Sequence, residues 1–306
     1  MKVLITGGAG FIGSHLTERL LETNAKVRVL DDLSTGRREN LPRHEALEFV
    51  EGDICNNGLV ERCVEGVDAV VHLAAVASVQ ASIDDPIRTH QVNFGGTLNL
   101  LEAARRHGRL RFLYACSAAV YGEAAAIPVS EDRAPNPLSP YAVDKLAGEY
   151  YLLHYHRKYN LATTSFRFFN VFGPRQDPSS PYSGVISIFV DRLQRNLPVT
   201  IFGDGTQSRD FVYVGDLVEL LARAARATQG VGGVFNVGTG RAHSLLQLLD
   251  QLEKLSGRRI ERRHEAPRLG DILHSCADVT RLKRVFGSAP DTAFDVGLGM
   301  LLDALK

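Results

Sequence analysis

Several features that would place this sequence in a specialised class of protein are missing. Its four cysteines form no CxxC pair and no metal-ligand spacing, which argues against a redox motif and a zinc site. Basic and acidic residues number 35 each, so the net charge gives no basis for binding nucleic acid or an anionic membrane. We therefore expect a cytoplasmic protein with reduced thiols, no bound metal and no nucleic-acid partner.

Long hydrophobic runs are also missing. No apolar stretch approaches the roughly 20 residues that span a bilayer. The sequence opens on Met1-Lys2-Val3 without a cleavable apolar leader, so we expect neither a signal peptide nor a membrane anchor. A chain of 306 residues can hold one large core or two modest domains.

The first half of the sequence alternates short apolar runs with helical patterns. Such alternation predicts right-handed βαβ units, and therefore an α/β fold with a doubly wound parallel sheet. Strands are predicted at 2–6, 26–30, 47–51, 69–73, 111–116 and 163–168, and the main helices at 12–22, 59–64, 91–106 and 140–159.

A glycine-rich turn connects the first predicted strand to the first predicted helix. Gly7, Gly10 and Gly13 have a GxxGxxG spacing, and Phe11 and Ile12 begin the helix. Phosphate binding requires backbone N–H groups at close range, which a Cβ would obstruct, and it gains from the helix dipole. Any tight turn favours glycine, but this position after a strand indicates a dinucleotide site of the Rossmann type.

Two acidic residues end the second predicted strand. Asp31 lies about 20 residues after the glycines, where a carboxylate accepts the adenosine ribose hydroxyls, and Asp32 follows it. A carboxylate there repels a 2′-phosphate, so we predict NAD rather than NADP. Two readings remain open: Asp31 only begins a turn, or Arg37 and Arg38 recruit a 2′-phosphate.

The next two strand ends complete the predicted cofactor site. Asp53 and Ile54 are placed to contact adenine, and Leu73, Ala74 and Ala75 are small enough to let a cofactor lie against the backbone. Taken singly, each of these segments is equally well explained as an ordinary strand end.

A Tyr-Lys pair begins the long helix predicted at 140–159. Tyr141 and Lys145 are one turn apart and so share a helix face, while Ser139 is a suitable N-cap. An ammonium roughly 6 Å from a phenol, at an effective dielectric near 20, favours the phenolate by about 3 kcal/mol, or some two pKa units. Tyr141 is therefore predicted as a general base, with Ser117 at the end of the fifth strand facing the same cleft. The alternative is a packed tyrosine beside a lysine with no catalytic role.

After residue 173 the pattern changes, because Gly, Pro, Ser and Asp cluster in 173–184. We predict a Rossmann domain over 1–173 and a smaller C-terminal α/β substrate domain over 174–306. The second domain lies over the strand ends, where open α/β sheets bind ligands. It is predicted to be discontinuous, since segments near 211–238 return to the first domain.

Seven segments, in order along nearly the whole chain, resemble the UDP-glucose 4-epimerases of the extended short-chain dehydrogenase/reductases. The C-terminal ones indicate nucleotide-sugar substrates. They are TGGAGFIGSHL at 6–16, HLAA at 72–75, Ser117 before AAVYG, YAVDK at 141–145, RFFNVFGPRQDP at 167–178, GDGTQSRDFVYVGDL at 203–217 and PRLGDILHSCAD at 267–278.

The resemblance implies a mechanism and further site residues. Tyr141 takes the proton of the sugar 4-hydroxyl while a hydride passes to NAD, and the 4-keto sugar turns over and accepts the hydride on its other face. Lys145 also holds the nicotinamide ribose. The resemblance further implies a homodimer formed by two long helices. Asp271 matches a uridine-ribose contact, and the other matches to sugar-nucleotide contacts are Asn170, Val185, Arg209 and Arg268.

Departures from the related families bear on the reaction and on the substrate. Ala118 and Ala119 stand where 4,6-dehydratases carry an Asp-Glu pair, and decarboxylases of this group usually have a Glu in place of Ala119. Ser275 occupies a position that is a bulky Tyr in some members, and a small residue leaves space for an N-acetyl group on sugar carbon 2. The alternatives are a UDP-uronic acid 4-epimerase or decarboxylase, and a non-catalytic NAD-binding regulator.

Overall fold

The computed structural model describes residues 1–108, 110–123, 126–178, 184–267 and 272–305. Its strands are β1 (Lys2–Thr6), β2 (Lys26–Asp31), β3 (Leu47–Glu51), β4 (Ala69–His72), β5 (Arg111–Ser117), β6 (Ala162–Phe168), β7 (Asn170–Phe172), β8 (Val199–Phe202), β9 (Ser208–Tyr213), β10 (Gly233–Val237), β11 (Ala242–Ser244) and β12 (Arg262–Glu265).

The helices surround and connect these strands. They are α1 (Phe11–Glu22), α2 (Asn57–Val64), α3 (Val79–Asp84), α4 (Pro86–His90), α5 (Thr97–His107), α6 (Pro140–Tyr159), α7 (Val185–Gln194), α8 (Val214–Arg226), α9 (Leu245–Ser256), α10 (Thr280–Phe286) and α11 (Phe294–Asp303). Among the described residues, no helix is both long and apolar enough to cross a membrane.

Seven parallel strands form the main sheet, in the order β10-β6-β5-β4-β1-β2-β3. The order reverses between β1 and β4, which confirms the doubly wound α/β fold. Strand interiors are apolar and fully covered, as in Val3, Leu4 and Ile5, because helices pack on both faces of a parallel sheet. The reversal places a crevice outside the carboxyl ends of β1 and β4, where such folds bind ligands.

Strand ends carry the predicted site residues. β2 and β5 each run one residue further than predicted, so Asp31 and Ser117 are their last residues. The helix predicted at 91–106 is wrong at its start. A π-helical turn occupies Gln91–Gly96 and joins α4 to α5. In that turn the side-chain amide of Asn93 accepts a hydrogen bond from the backbone N–H of Val76 and donates one to its carbonyl.

The region after residue 173 is shared between two cores. β10 lies in the main sheet and α8 packs on α1, whereas β9 pairs with β7 and β11 in a separate three-stranded sheet. β8 and β12 form a further pair. The second apolar cluster lies here, and its most deeply buried members are Val199, Ile201, Leu248, Leu249, Leu252 and Leu298. The division of the chain at residue 173 stays a prediction.

Candidate active site

The glycine-rich turn brings the backbone closer than a side chain would allow. A Cβ on Gly7 would lie 2.7 Å from the amide nitrogen of Ala74, and one on Gly13 would meet the backbone of Gly7 and Gly8. Gly7 also has a φ of +71°, a conformation that disfavours other residues. Close approach between β1, α1 and the end of β4 therefore requires glycine at these two positions.

The first turn of α1 leaves its amide groups available to an anion. Gly10 is the N-cap, and within the described part of the chain no side chain caps these N–H groups. By contrast, the side chain of Ser139 caps α6 and that of Ser244 caps α9. An uncapped N-terminus beside three glycines fits the diphosphate of a dinucleotide.

Asp31 is held by the backbone at the end of β2. Its carboxylate accepts hydrogen bonds from the amides of Ala9 (2.9 Å) and Leu33 (2.8 Å), and burial raises its pKa. Arg37 forms an ion pair with Asp177, and Arg38 stacks over the Phe49 ring. Both arginines therefore have other partners, which agrees with NAD rather than NADP.

A cleft of about 780 Å³ runs along these strand ends, and we call it the large cleft. The predicted adenine, ribose, diphosphate and nicotinamide positions lie on a single continuous surface. The predicted cofactor residues that line it are Gly7, Gly10, Phe11, Ile12, Gly13, Asp31, Asp32, Asp53, Ile54, Leu73, Ala74, Ala75, Tyr141 and Lys145. Shape, glycine approach and the uncapped helix thus fit the dinucleotide that the sequence predicts.

Ser117, Tyr141 and Lys145 meet at one end of the large cleft. The side chain of Ser139 caps α6 with a 3.2 Å hydrogen bond from the amide of Ala142, which fixes the turn that carries Tyr141. Lys145 donates to the carbonyl of Ala115 (2.9 Å), and its Nζ lies 5.9 Å from the centre of the Tyr141 ring. The three side chains of the predicted constellation therefore line the same cleft.

The predicted effect of Lys145 on Tyr141 is wrong for these side chains by themselves. Burial raises the pKa of Tyr141 to about 12, although a hydrogen bond with Ser117 acts in the opposite direction. Burial also lowers the pKa of Lys145 to about 8, which weakens its charge. The prediction counted the Coulomb attraction and left out desolvation, which dominates here. Burial therefore opposes the action of Tyr141 as a base near neutral pH.

A second cavity of about 190 Å³ opens beside the first, and we call it the small cavity. It brings together four predicted substrate residues that are far apart in sequence: Ser117, Asn170, Arg209 and Ser275. Val185 follows Gly184, which lines the large cleft, but its own side chain packs against the second core. Arg268 and Asp271 lie outside the described residues.

Tertiary structure adds residues that the sequence analysis missed. Arg88, from α4, borders the large cleft and pairs with Asp53 (2.8 Å). His274 lines the small cavity, and its Nδ1 lies 2.9 Å from the Ser208 hydroxyl. A lone arginine in a short helix, or a lone histidine outside the helices and strands, has no spacing that marks it, so only the fold could identify these two residues.

A buried polar network supports the end of β4. His72 hydrogen-bonds Thr6 through Nδ1 (2.7 Å) and Thr97 through Nε2 (2.9 Å). Burial lowers the pKa of His72 to about 3, so the ring stays neutral and makes both bonds near neutral pH. Because Leu73 and Ala74 follow directly, this network fixes the small residues on which a cofactor would lie.

Comparison with known proteins agrees with this geometry. Residues 3–238 match the profile of the NAD dependent epimerase/dehydratase family. The chain belongs to that family. It is an NAD-dependent enzyme of the epimerase type, and the predicted resemblance is confirmed.

Three relatives illustrate the family. The UDP-glucose 4-epimerase of Mycolicibacterium smegmatis is 42% identical, with 100% of this chain and 99% of that protein covered. A Thermus thermophilus UDP-glucose 4-epimerase solved with NAD is 40% identical over 99% and 98% of the two chains, with a TM-score of 0.92. A UDP-N-acetylglucosamine 4-epimerase from Methanobrevibacter ruminantium, solved with UDP-N-acetylmuramic acid, is 36% identical over 99% and 97%, with a TM-score of 0.95.

Proposed function

We propose that this protein inverts carbon 4 of a UDP-hexose or UDP-N-acetylhexosamine through a transient 4-keto sugar. The observation that carries the proposal is the junction of the two cavities. Ser117, Phe168 and Phe169 line both, and Tyr141 and Lys145 stand beside them. A sugar in the small cavity therefore presents its ring to the nicotinamide end of the large cleft.

The roles of the chain's own side chains follow from their positions. NAD, when bound, supplies a reversible hydride acceptor for carbon 4 and a positive charge beside Tyr141. Tyr141 then takes the proton of the 4-hydroxyl and returns it after the sugar has turned. Ser117 hydrogen-bonds the reacting oxygen, and Lys145, fixed by the carbonyl of Ala115, holds the cofactor ribose.

The walls of the small cavity suit a sugar that must present both faces. Ala118, Ala119, Val129, Phe168 and Phe169 offer few directional contacts, so a keto sugar can rotate without breaking strong hydrogen bonds. The nucleotide part of the substrate is bound more tightly than the sugar, because Arg209 can bind its diphosphate and Arg268 and Asp271 are predicted to contact it.

The residues that line the small cavity also help to choose between the alternative functions. A uronic acid is best recognised by a cation at its carboxylate, and the walls next to Ser117 are the alanines 118 and 119. Among the described lining residues, the permanently charged cation is Arg209, which the nucleotide requires. A non-catalytic regulator has no use for Ser117, Tyr141 and Lys145 together, so we favour the epimerase.

Ser275 indicates that acetylated sugars are accepted. It lines the small cavity, and its small side chain leaves the space that an N-acetyl group on carbon 2 would fill. The similarity to both a UDP-glucose and a UDP-N-acetylglucosamine 4-epimerase supports a pocket of this breadth.

A substrate panel tests the proposal. The purified enzyme is incubated with UDP-glucose, UDP-N-acetylglucosamine and UDP-glucuronic acid, and the products are separated by chromatography. We expect the C4 epimers of the first two sugars and no accumulation of NADH in step with product, because the cofactor is regenerated within each cycle. Stoichiometric NADH would indicate a net dehydrogenase, and conversion of the glucuronic acid alone would favour the uronic acid alternative.

We also propose a homodimer formed through α5 and α6. Val143, Tyr150 and Tyr151 on α6 are 50%, 52% and 41% exposed, a large apolar surface for one helix. Leu101 on α5, by contrast, is buried in the chain's own core. A dimeric mass by light scattering at micromolar concentration is expected, and a monomeric mass would contradict the proposal.

A further inference from the structure

Asp210 is a fully buried carboxylate at the border between the two cores. It lies on β9 next to Arg209 and is 0% exposed. One carboxylate oxygen accepts from the amide and the hydroxyl of Thr239, at 2.8 and 2.7 Å. The other accepts from the amides of Gly240 (2.9 Å) and Ala277 (3.1 Å). These bonds satisfy a charge that would otherwise be costly to bury.

The partners of Asp210 belong to two different parts of the molecule. Thr239 and Gly240 follow β10 and are therefore anchored in the main sheet. Ala277 belongs to residues 272–279, which we call the 272–279 segment. At Gly238 a Cβ would lie 2.6 Å from a carboxylate oxygen of Asp210, so a glycine permits this close approach.

The 272–279 segment forms one wall of the small cavity. Ile272, His274 and Ser275 line that cavity directly. The amide of Ser275 donates to the carbonyl of Ser208 (3.0 Å), and the amide of Ser208 donates to the carbonyl of Leu273 (2.9 Å). The segment is thus aligned along β9 at one point and pinned to Asp210 two residues further on.

We propose that Asp210 is a positioning residue for the nucleotide-sugar cavity. Its carboxylate fixes the 272–279 segment against the main sheet, and it thereby sets the distance between Ser275 on one wall and Ser117 on the other. The proposal rests on the function proposed above for this cavity. Asp210 is not among the described residues that line either cavity, so it acts through Ala277 and through its neighbour Arg209.

Asp216 offers a matched control. Its carboxylate also accepts several bonds, from the amides of Asp291 (2.9 Å) and Thr292 (2.7 Å) and from the hydroxyl of Thr292 (2.7 Å). None of these three residues is among the described residues that line either cavity. Asp210→Asn and Asp216→Asn therefore remove the same kind of interaction, but only the first affects the small cavity.

The experiment measures four quantities for both variants and the wild type: the Kd of UDP by calorimetry, the NAD content, and KM and kcat for UDP-N-acetylglucosamine. An amide keeps one acceptor oxygen and turns N–H groups toward backbone donors, so Asp210→Asn must release one of its two sets of partners. We expect it to raise the UDP Kd and KM by about 10-fold or more, with kcat changed less and NAD content unchanged. Asp216→Asn should leave all four quantities at the wild-type values.

Equal effects of the two variants on UDP affinity would overturn the proposal, as would a wild-type UDP Kd in folded Asp210→Asn. If that variant does not fold, Thr239→Val removes a single bond to Asp210 and should shift the UDP Kd in the same direction by a smaller factor. An unchanged Kd in Thr239→Val would then overturn it. A wild-type enzyme that binds UDP but epimerises no sugar refutes the proposed function, and the UDP measurements still decide the role of Asp210.

Discussion

One stretch of the large cleft is walled by the backbone of the glycine-rich turn, whereas the small cavity is walled by residues from segments spread over 117–275. In the large cleft, Gly7 and Gly13 allow close approach, and the uncapped first turn of α1 supplies amides. In the small cavity, Arg209 and Ser275 come from segments that are held together by Asp210. We call the large cleft the backbone-built side and the small cavity the side-chain-built side. The first binds the same cofactor in every reaction cycle, whereas the residues of the second can differ according to the substrate.

We expect the largest loss of activity from a substitution at the junction of the large cleft and the small cavity, where Tyr141 lies. Tyr141→Phe removes only the hydroxyl that moves the proton, so kcat should fall by about 10²- to 10⁴-fold, the range that general acid–base groups contribute. NAD content and UDP affinity should be unchanged. Tyr159→Phe, at the exposed C-terminal end of the same helix, is the control and should retain full activity. A loss below 10-fold in Tyr141→Phe would remove this residue from the mechanism.

We expect Lys145 to lower the free energy of unfolding, because its charge is buried. Its folded pKa of about 8 lies below the usual value of 10.5, so near pH 7 the folded protein holds a buried charge at a cost of about 3 kcal/mol. As pH rises from 8 to 10.5, the folded state loses this proton before the unfolded state does, and wild-type stability increases. In nucleotide-free protein, Lys145→Met should therefore be more stable than wild type at pH 7, with a gap that narrows by pH 9.5.

Urea unfolding at the two pH values measures this gap. Lys254→Met, at an exposed position on α9, is the matched control and should show no pH-dependent difference from wild type. A gap for Lys145→Met that stays constant between pH 7 and pH 9.5 would show that burial does not shift this lysine.

The backbone-built side can be disrupted by a single methyl group. A Cβ at position 13 would lie 2.6 Å from the Cα of Gly8, whereas one at Gly299 on α11 would meet nothing within 4 Å. Gly13→Ala should therefore lose about 1–3 kcal/mol of stability and retain less NAD. Gly299→Ala should be neutral or more stable by up to about 1 kcal/mol. Wild-type NAD content in Gly13→Ala would contradict the proposed close approach.

The side-chain-built side should control specificity instead. Ser275→Tyr fills the space proposed for the N-acetyl group, and overfilling costs about 1–3 kcal/mol, or roughly 10- to 200-fold in kcat/KM for the acetylated sugar. UDP-galactose should still be converted, and Ser275→Ala should accept both sugars. If wild type converts UDP-galactose but not UDP-N-acetylgalactosamine, another residue limits the pocket.

We expect the smallest effect from Arg88, a side chain that borders the large cleft, when NAD binding is measured. The Arg88 side chain is 45% exposed and pairs with Asp53, and such partly exposed pairs contribute about 0–1 kcal/mol. Arg88→Ala should therefore weaken NAD binding by about 5-fold at most, measured by calorimetry on nucleotide-free protein. Arg105→Ala, which removes a surface pair with Glu102 on α5, should leave it unchanged. A 100-fold loss in Arg88→Ala would show that side chains also carry the cofactor side.

Local patterns were enough to predict most of the large cleft. The glycine spacing, the acid that ends β2 and the one-turn separation of Tyr141 and Lys145 are each read within a few residues, because backbone approach and helix periodicity are local properties. The predicted boundaries fail where the local signal is weak. At 91–96 a helical pattern conceals a π-helical turn whose shape depends on Asn93 bonding to Val76.

The sequence by itself determined the alternation of strands and helices, the position of the dinucleotide turn and the one-turn spacing of Tyr141 and Lys145. Only the tertiary structure decided that β10 joins the main sheet while β9 does not, that Arg88 reaches Asp53, and that Asp210 holds Ala277. It also raised the pKa of Tyr141, where the sequence predicted a lower pKa, because desolvation depends on every group packed around the phenol. Pairings between residues that are far apart in the chain leave no periodic trace in a single sequence, because their distance is set by how the elements pack.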